Sequence, residues 1–100
     1  MQYSLNVVTP CADYDGFTVE GDFINEIVVE KFLDTVKVVF ENVINLSDGD
    51  VIISKSSDYE IYIYDFKHFI ISKTKTVLDA INLMDKLFDY YLGEKNEKIY

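Results

Sequence analysis

The chain of 100 residues carries 18 acidic side chains against 9 lysines, with no arginine, one histidine and one cysteine, for a formal charge of −9 at pH 7. That sign opposes direct binding to nucleic acid or to an anionic membrane, both of which are held by Lys and Arg, and the bidentate guanidinium fork is missing altogether. The length fits one domain, the 49% apolar content fits a folded core rather than a disordered chain, no apolar run reaches the roughly 18 residues of a membrane span, and the lone Cys11 permits no internal disulfide.

Taken in chain order, Gln2 to Thr9 reads as a strand with Tyr3, Leu5 and Val7 on one face, ended by Pro10. Met1 to Pro10 lacks the basic and apolar regions of a secretory leader, so the expected location is the reducing cytoplasm. Cys11 to Gly21 is rich in turn residues and leaves room for a short extended piece at Phe17 to Val19. From Asp22 to Ile44 the period is helical. Val28, Val29, Phe32, Leu33, Val36, Val39, Phe40 and Val43 fall on one arc, opposite Glu26, Glu30, Asp34, Lys37 and Glu41. Asp22 is the expected N-cap, and the β-branched content leaves a strand at Asn25 to Glu30 as the alternative.

Ser47 to Asp50 is a turn. Val51 to Ser54, Tyr59 to Asp65 and Lys67 to Ser72 then make three short strands with short connections, an antiparallel meander. Thr74 or Thr76 caps a second helix running to about Leu92, with Val77, Ala80, Ile81, Met84, Phe88, Tyr91 and Leu92 inward and Asp79, Asn82, Asp85, Lys86 and Asp89 outward. Glu94 to Tyr100 is a charged tail expected to fray. The expected fold is α+β in two layers: an antiparallel sheet of three to four strands with both amphipathic helices on one face. Tyr62, Tyr64 and His68 are candidates for the other face.

No motif of catalysis emerges. One His and one Cys cannot assemble a structural zinc site. Asp48-Gly49-Asp50 fails as a calcium loop, because counting from Asp48 puts Ile52 at position five and Tyr59 at position twelve. Nothing in the sequence brings Cys11 and His68 together, and the four glycines form no phosphate-cradling loop. The expectation is a protein that is not an enzyme and takes neither metal nor cofactor.

The acids carry more information. Asp22, Glu26, Glu30 and Asp34 stand four apart. On a helix, neighbours in such a row are about 6 Å apart, close to the phosphate spacing of a nucleic-acid strand. Like charges at that spacing weaken a helix by a few tenths of a kcal/mol each, which is a reason to look for a use. Asp79, Asp85 and Asp89 repeat the bias on the second helix, and Tyr62 and Tyr64, beside Glu60, are of the type enriched at interface hot spots. These ten residues, Glu60, Tyr62 and Tyr64 included, form the expected partner-binding set.

In size, charge and composition the chain resembles small acidic inhibitors from phages and mobile elements, the anti-CRISPR and DNA-mimic anti-restriction proteins. The Lys-without-Arg bias suits an AT-rich coding sequence. Within the chain, Val51 to Leu92, three short strands followed by an acidic amphipathic helix, is similar to the meander-plus-helix core of some anti-CRISPR proteins. The resemblance implies a protein of the host bacterial cytoplasm whose acids occupy a basic site on a nuclease that otherwise reads the protospacer-adjacent motif or holds nucleic acid. Two other readings use the same residues: an immunity protein or antitoxin neutralising a basic toxin, and a small structural homodimer.

Overall fold

The computed structural model describes residues 2–11, 16–46 and 50–93. The fold is α+β. Six strands, β1 (Tyr3–Pro10), β2 (Phe17–Phe23), β3 (Val43–Leu46), β4 (Val51–Lys55), β5 (Glu60–Tyr64) and β6 (His68–Thr74), form one antiparallel sheet in the order β1-β2-β6-β5-β4-β3. Helices α1 (Val29–Val39) and α2 (Val77–Tyr91) cover one face of it.

Cross-strand partners share a face, so the register sorts the side chains. The helix-covered face carries the inner rows Ser54, Ile61, Ile71 and Val19, and Ile52, Ile63, Phe69 and Gly21, all buried. Phe32 of α1 meets the rings of Phe23, Phe66 and Tyr91 at centroid distances of 5.5, 5.9 and 5.7 Å. Met84, Leu87 and Phe88 of α2 complete the core. Gly21 is required by close approach. A Cβ there would stand 2.5 Å from the Phe69 ring and collide with the carbonyl of Ser4.

The meander forms as β4, β5 and β6. Its last turn places Asp65 and Phe66 both at positive φ, 52° and 55°, with the Lys67 N–H donating to the Tyr64 carbonyl at 3.0 Å. That is the primed turn whose twist suits a hairpin. The packing of Phe66 on Phe32 offsets the strain of a bulky side chain in the left-handed region. α2 begins where expected: the Thr76 hydroxyl accepts the Asp79 N–H.

Four expectations are corrected. The sheet has six strands rather than three to four. The extra strands come from segments whose apolar residues serve a sheet. Phe17 to Phe23 alternates with Val19, Gly21 and Phe23 inward and Glu20 and Asp22 outward. Val43 to Leu46 pairs with β4 as an edge strand after Asn42 leaves the helical region at φ 51°. The helix expected over Asp22 to Ile44 is therefore only Val29 to Val39, and residues 24–28 form neither helix nor strand. Asp22 is a strand residue and not an N-cap; Val28 holds that position with no side-chain cap, and its N–H goes to the Tyr91 hydroxyl at 2.8 Å. In β1 the register shifts between Leu5 and Val7, so Val8 rather than Val7 shares the face of Leu5. Pro10 pairs with Phe17 as the last residue of the strand, acceptable on an edge where its missing N–H faces outward. The expected turn residues Asp13, Asp15 and Ser47 to Gly49 and the tail Glu94 to Tyr100 lie outside the described residues.

Candidate binding surface

The chain direction of each element gives the molecule two distinct ends. At one end lie the start of β1, the end of β2, the start of α1, the start of β4, the β5–β6 turn and the end of α2; the hydrogen bond from Val28 to Tyr91 and the pairing of Asp22 with His68 tie these together. At the other end lie the end of α1, the β4–β5 turn, the end of β6 and the Thr76 cap, with the Glu41 N–H donating to the Tyr59 hydroxyl at 3.2 Å.

Charge divides along the same axis. Among the described residues, Asp22, Glu26, Glu30, Asp50, Asp65 and Asp89 fall at the first end, with only Lys31 and Lys67 as cations. Lys31 there sits over the Tyr91 ring, its Nζ 4.9 Å from the centroid. At the second end Glu41, Asp58, Glu60 and Asp79 are matched by Lys37, Lys55, Lys73 and Lys75. Glu20, Asp34, Asp85 and Lys86 lie between. Among the described residues the excess negative charge is thus greater at the first pole.

The structure regroups the expected partner-binding residues. Asp22, Glu26, Glu30 and Asp34 do not form one helical row, because only Glu30 and Asp34 are on α1. Asp22, Glu26 and Glu30 nevertheless converge on the acidic pole from three successive elements. Asp22, Glu26 and Asp65, with Lys67 beside them, line a groove of about 480 Å³ together with the apolar Phe23, Ile27 and Phe66. Ile24, Val28 and Val29 are exposed beside it. From α2, Asp85 accepts the Tyr3 hydroxyl at 2.8 Å; burial, and after it this hydrogen bond, pushes that phenol well above its ordinary value. Asp89 lies half-buried one turn further on. Asp79 is at the opposite pole, in the first turn of α2. Glu60 is there too. It is held at 2.6 Å by Lys73, which draws its carboxyl below the usual range, and it accepts the Tyr62 hydroxyl at 3.0 Å.

Tyr62 and Tyr64 stand on the sheet face that carries no helix. One row there reads Ile44, Ile53, Tyr62, Ile70, Glu20, Val7, and the next Leu46, Val51, Tyr64, His68, Asp22, Ser4. His68 Nδ1 is 2.7 Å from Asp22 and Nε2 3.6 Å from Glu20. The hydrogen bond to Asp22 raises the imidazole above its ordinary pKa and lowers that of Asp22.

Among the described residues no three His, Cys, Asp or Glu side chains converge as metal ligands, and no helix is long and apolar enough to cross a membrane. Cys11 lies beside Thr18 at the end of the sheet opposite His68. The sequence reading missed Asp50 and Asp65 as members of the acidic pole. They stand at the two ends of the β4–β5 hairpin, where the Asp65 N–H donates to the Asp50 carbonyl at 2.9 Å, a pairing that only the folded hairpin brings about. Comparison with protein-family models, with curated proteins and with solved structures finds no match for the chain.

Proposed function

We propose that the protein is an acidic inhibitor that docks its negative pole onto a basic nucleic-acid-binding surface of a nuclease, in the manner of the anti-CRISPR and DNA-mimic proteins it resembles. What carries the reading is the segregation of charge. Negative charge kept only for solubility has no reason to gather at one end, yet among the described residues the acids exceed the lysines by four at the first end and only match them at the other; a pole facing a basic cleft raises the encounter rate by about 10- to 1000-fold through long-range attraction. The exposed Ile24, Val28 and Val29 beside the acids supply apolar area for a bound state that charge alone holds poorly. The groove rimmed by Asp22, Glu26 and Asp65 would take the aliphatic stem and charged head of a partner lysine or arginine.

The test is displacement of fluorescent duplex DNA from a panel of RNA-guided nucleases of low-GC bacteria. The protein is expected to displace DNA from a member of the panel, with an affinity that falls steeply as salt rises. If no member loses DNA at any salt concentration, the reading fails.

A further inference from the structure

The single histidine of the chain stands within the acidic pole. His68 opens β6 on the helix-free face of the sheet and pairs with Asp22 of β2 and Tyr64 of β5. Its two ring nitrogens face two carboxylates, Nδ1 toward Asp22 at 2.7 Å and Nε2 toward Glu20 at 3.6 Å. A neutral imidazole has one N–H and would turn a lone pair on one of those oxygens; only the imidazolium presents a proton to both. From β5 the neighbour is Tyr64, its ring centroid 6.5 Å from that of His68, and from β1, beyond Asp22, the neighbours are the uncharged Ser4 and Asn6. Lys67 precedes His68 in the chain and, with Asp65 of the same turn, lines the groove.

Asp22 joins this cluster to that groove. Its Oδ1 faces His68 and its Oδ2 accepts the Asn6 amide, while Asp22 also lines the groove with Glu26 and Asp65. Resting on the docking of the acidic pole argued above, we propose that His68 is a proton-operated brake on it: the imidazolium occupies Asp22 and Glu20 in competition with the guanidinium or ammonium groups of a basic partner, and loss of its proton gives both carboxylates to the partner. Neutral His68 can still donate one hydrogen bond to Asp22, but it no longer cancels charge there. Among the described residues, protonation cuts the excess of four negative charges at this pole to three.

Linkage fixes the direction. A cation bound beside Asp22 makes the imidazolium less favourable, so binding expels its proton; by reciprocity, removing the proton tightens the binding of the cation. The hydrogen bond to Asp22 holds the imidazole above its ordinary pKa, which brings the competition toward neutral pH, where an unperturbed histidine has mostly lost its charge. Affinity therefore rises with pH through the His68 transition and is weakest below it.

The probe is a hexa-arginine peptide, whose guanidinium groups stay charged throughout. Calorimetry of the intact chain with this peptide at low salt is expected to give binding at least about threefold tighter at about pH 8.5 than at about pH 6. The His68 transition, followed by nuclear magnetic resonance, should move to lower pH by at least about half a pH unit when the peptide is bound. His68→Asn keeps an N–H donor near the place of Nδ1 but takes up no proton. It should bind the peptide equally at both pH values and, at the lower one, more tightly than the unaltered chain. Binding without pH dependence, or with a dependence that persists in His68→Asn, overturns the brake and leaves the acidic pole standing as a docking surface. No binding of the peptide at either pH overturns the docking surface and the brake together.

Discussion

Single side chains decide several features that no periodicity could have shown. Gly21 is one. Its missing Cβ lets Phe69 lie under β2, so Gly21→Ala is expected to cost about 1–3 kcal/mol, the usual penalty of overpacking a core. Chemical denaturation would read it, and an unchanged midpoint would contradict the packing. The His68–Asp22 pair is another. A histidine whose folded pKa is raised contributes stability that is complete below the unfolded value of about 6.5 and is lost as pH rises through the folded value. A lowered Asp22 contributes above the unfolded carboxylate value of about 3.9 and loses it as pH falls through the folded value. The pair therefore stabilises the β2–β6 junction between the two folded values and stops doing so above that of His68. Asp22→Asn should move the His68 titration, followed by nuclear magnetic resonance, down toward about 6.5; no movement would contradict the contact.

At the scale of elements, the segments legible in sequence were those whose own pattern agreed with their final surroundings. In the meander β5 alternates buried and half-buried residues between two short strands bounded by turns, and α2 has both a helical arc and a cap in Thr76. Thr76→Ala should cost about 1 kcal/mol, the worth of an N-cap, seen as a lowered thermal midpoint; a Thr74→Ala change tests no cap, since Thr74 ends β6. The misread segments were those in which a neighbour decides. Asp22 fits an N-cap as well as a strand, and only its pairing with Ser4 and His68 and the contacts of Phe23 with Phe32 and Phe69 select the strand. Val43 and Ile44 likewise continue the arc of α1, yet the positive φ at Asn42 and pairing with Ser54 and Ile53 make them an edge. In β1 the shift at Asn6, whose amide bonds Asp22, exchanges the faces of Val7 and Val8, a change that no alternation count contains.

For the whole molecule, the amount of charge was legible and its arrangement was not. The row of four acids expected on one helix is divided among β2, the connection after it and α1, yet folding returns three of its members to one pole. It adds Asp50 and Asp65 from turns that nothing local marked as neighbours. Asp79, expected with them, lies at the far pole, where the lysines Lys75 and Lys86 share its cleft. Inhibition by docking depends on that arrangement rather than on net charge. Two matched triple variants separate the two: Glu26→Lys, Glu30→Lys and Asp50→Lys at the acidic pole, and Glu41→Lys, Asp58→Lys and Asp79→Lys at the other. Each takes the formal charge from −9 to −3, since every exchange of an acid for a lysine adds two charges. All six positions are exposed, so both chains should keep their fold, checked by their circular dichroism. The decisive measurement is displacement of DNA from the nuclease by these two chains beside the unaltered protein. The acidic-pole variant is expected to lose at least about 100-fold in potency, nearly 3 kcal/mol, while the far-pole variant stays within a few-fold of the unaltered chain. Equal losses in both would show that only net charge matters and would contradict docking by the acidic pole.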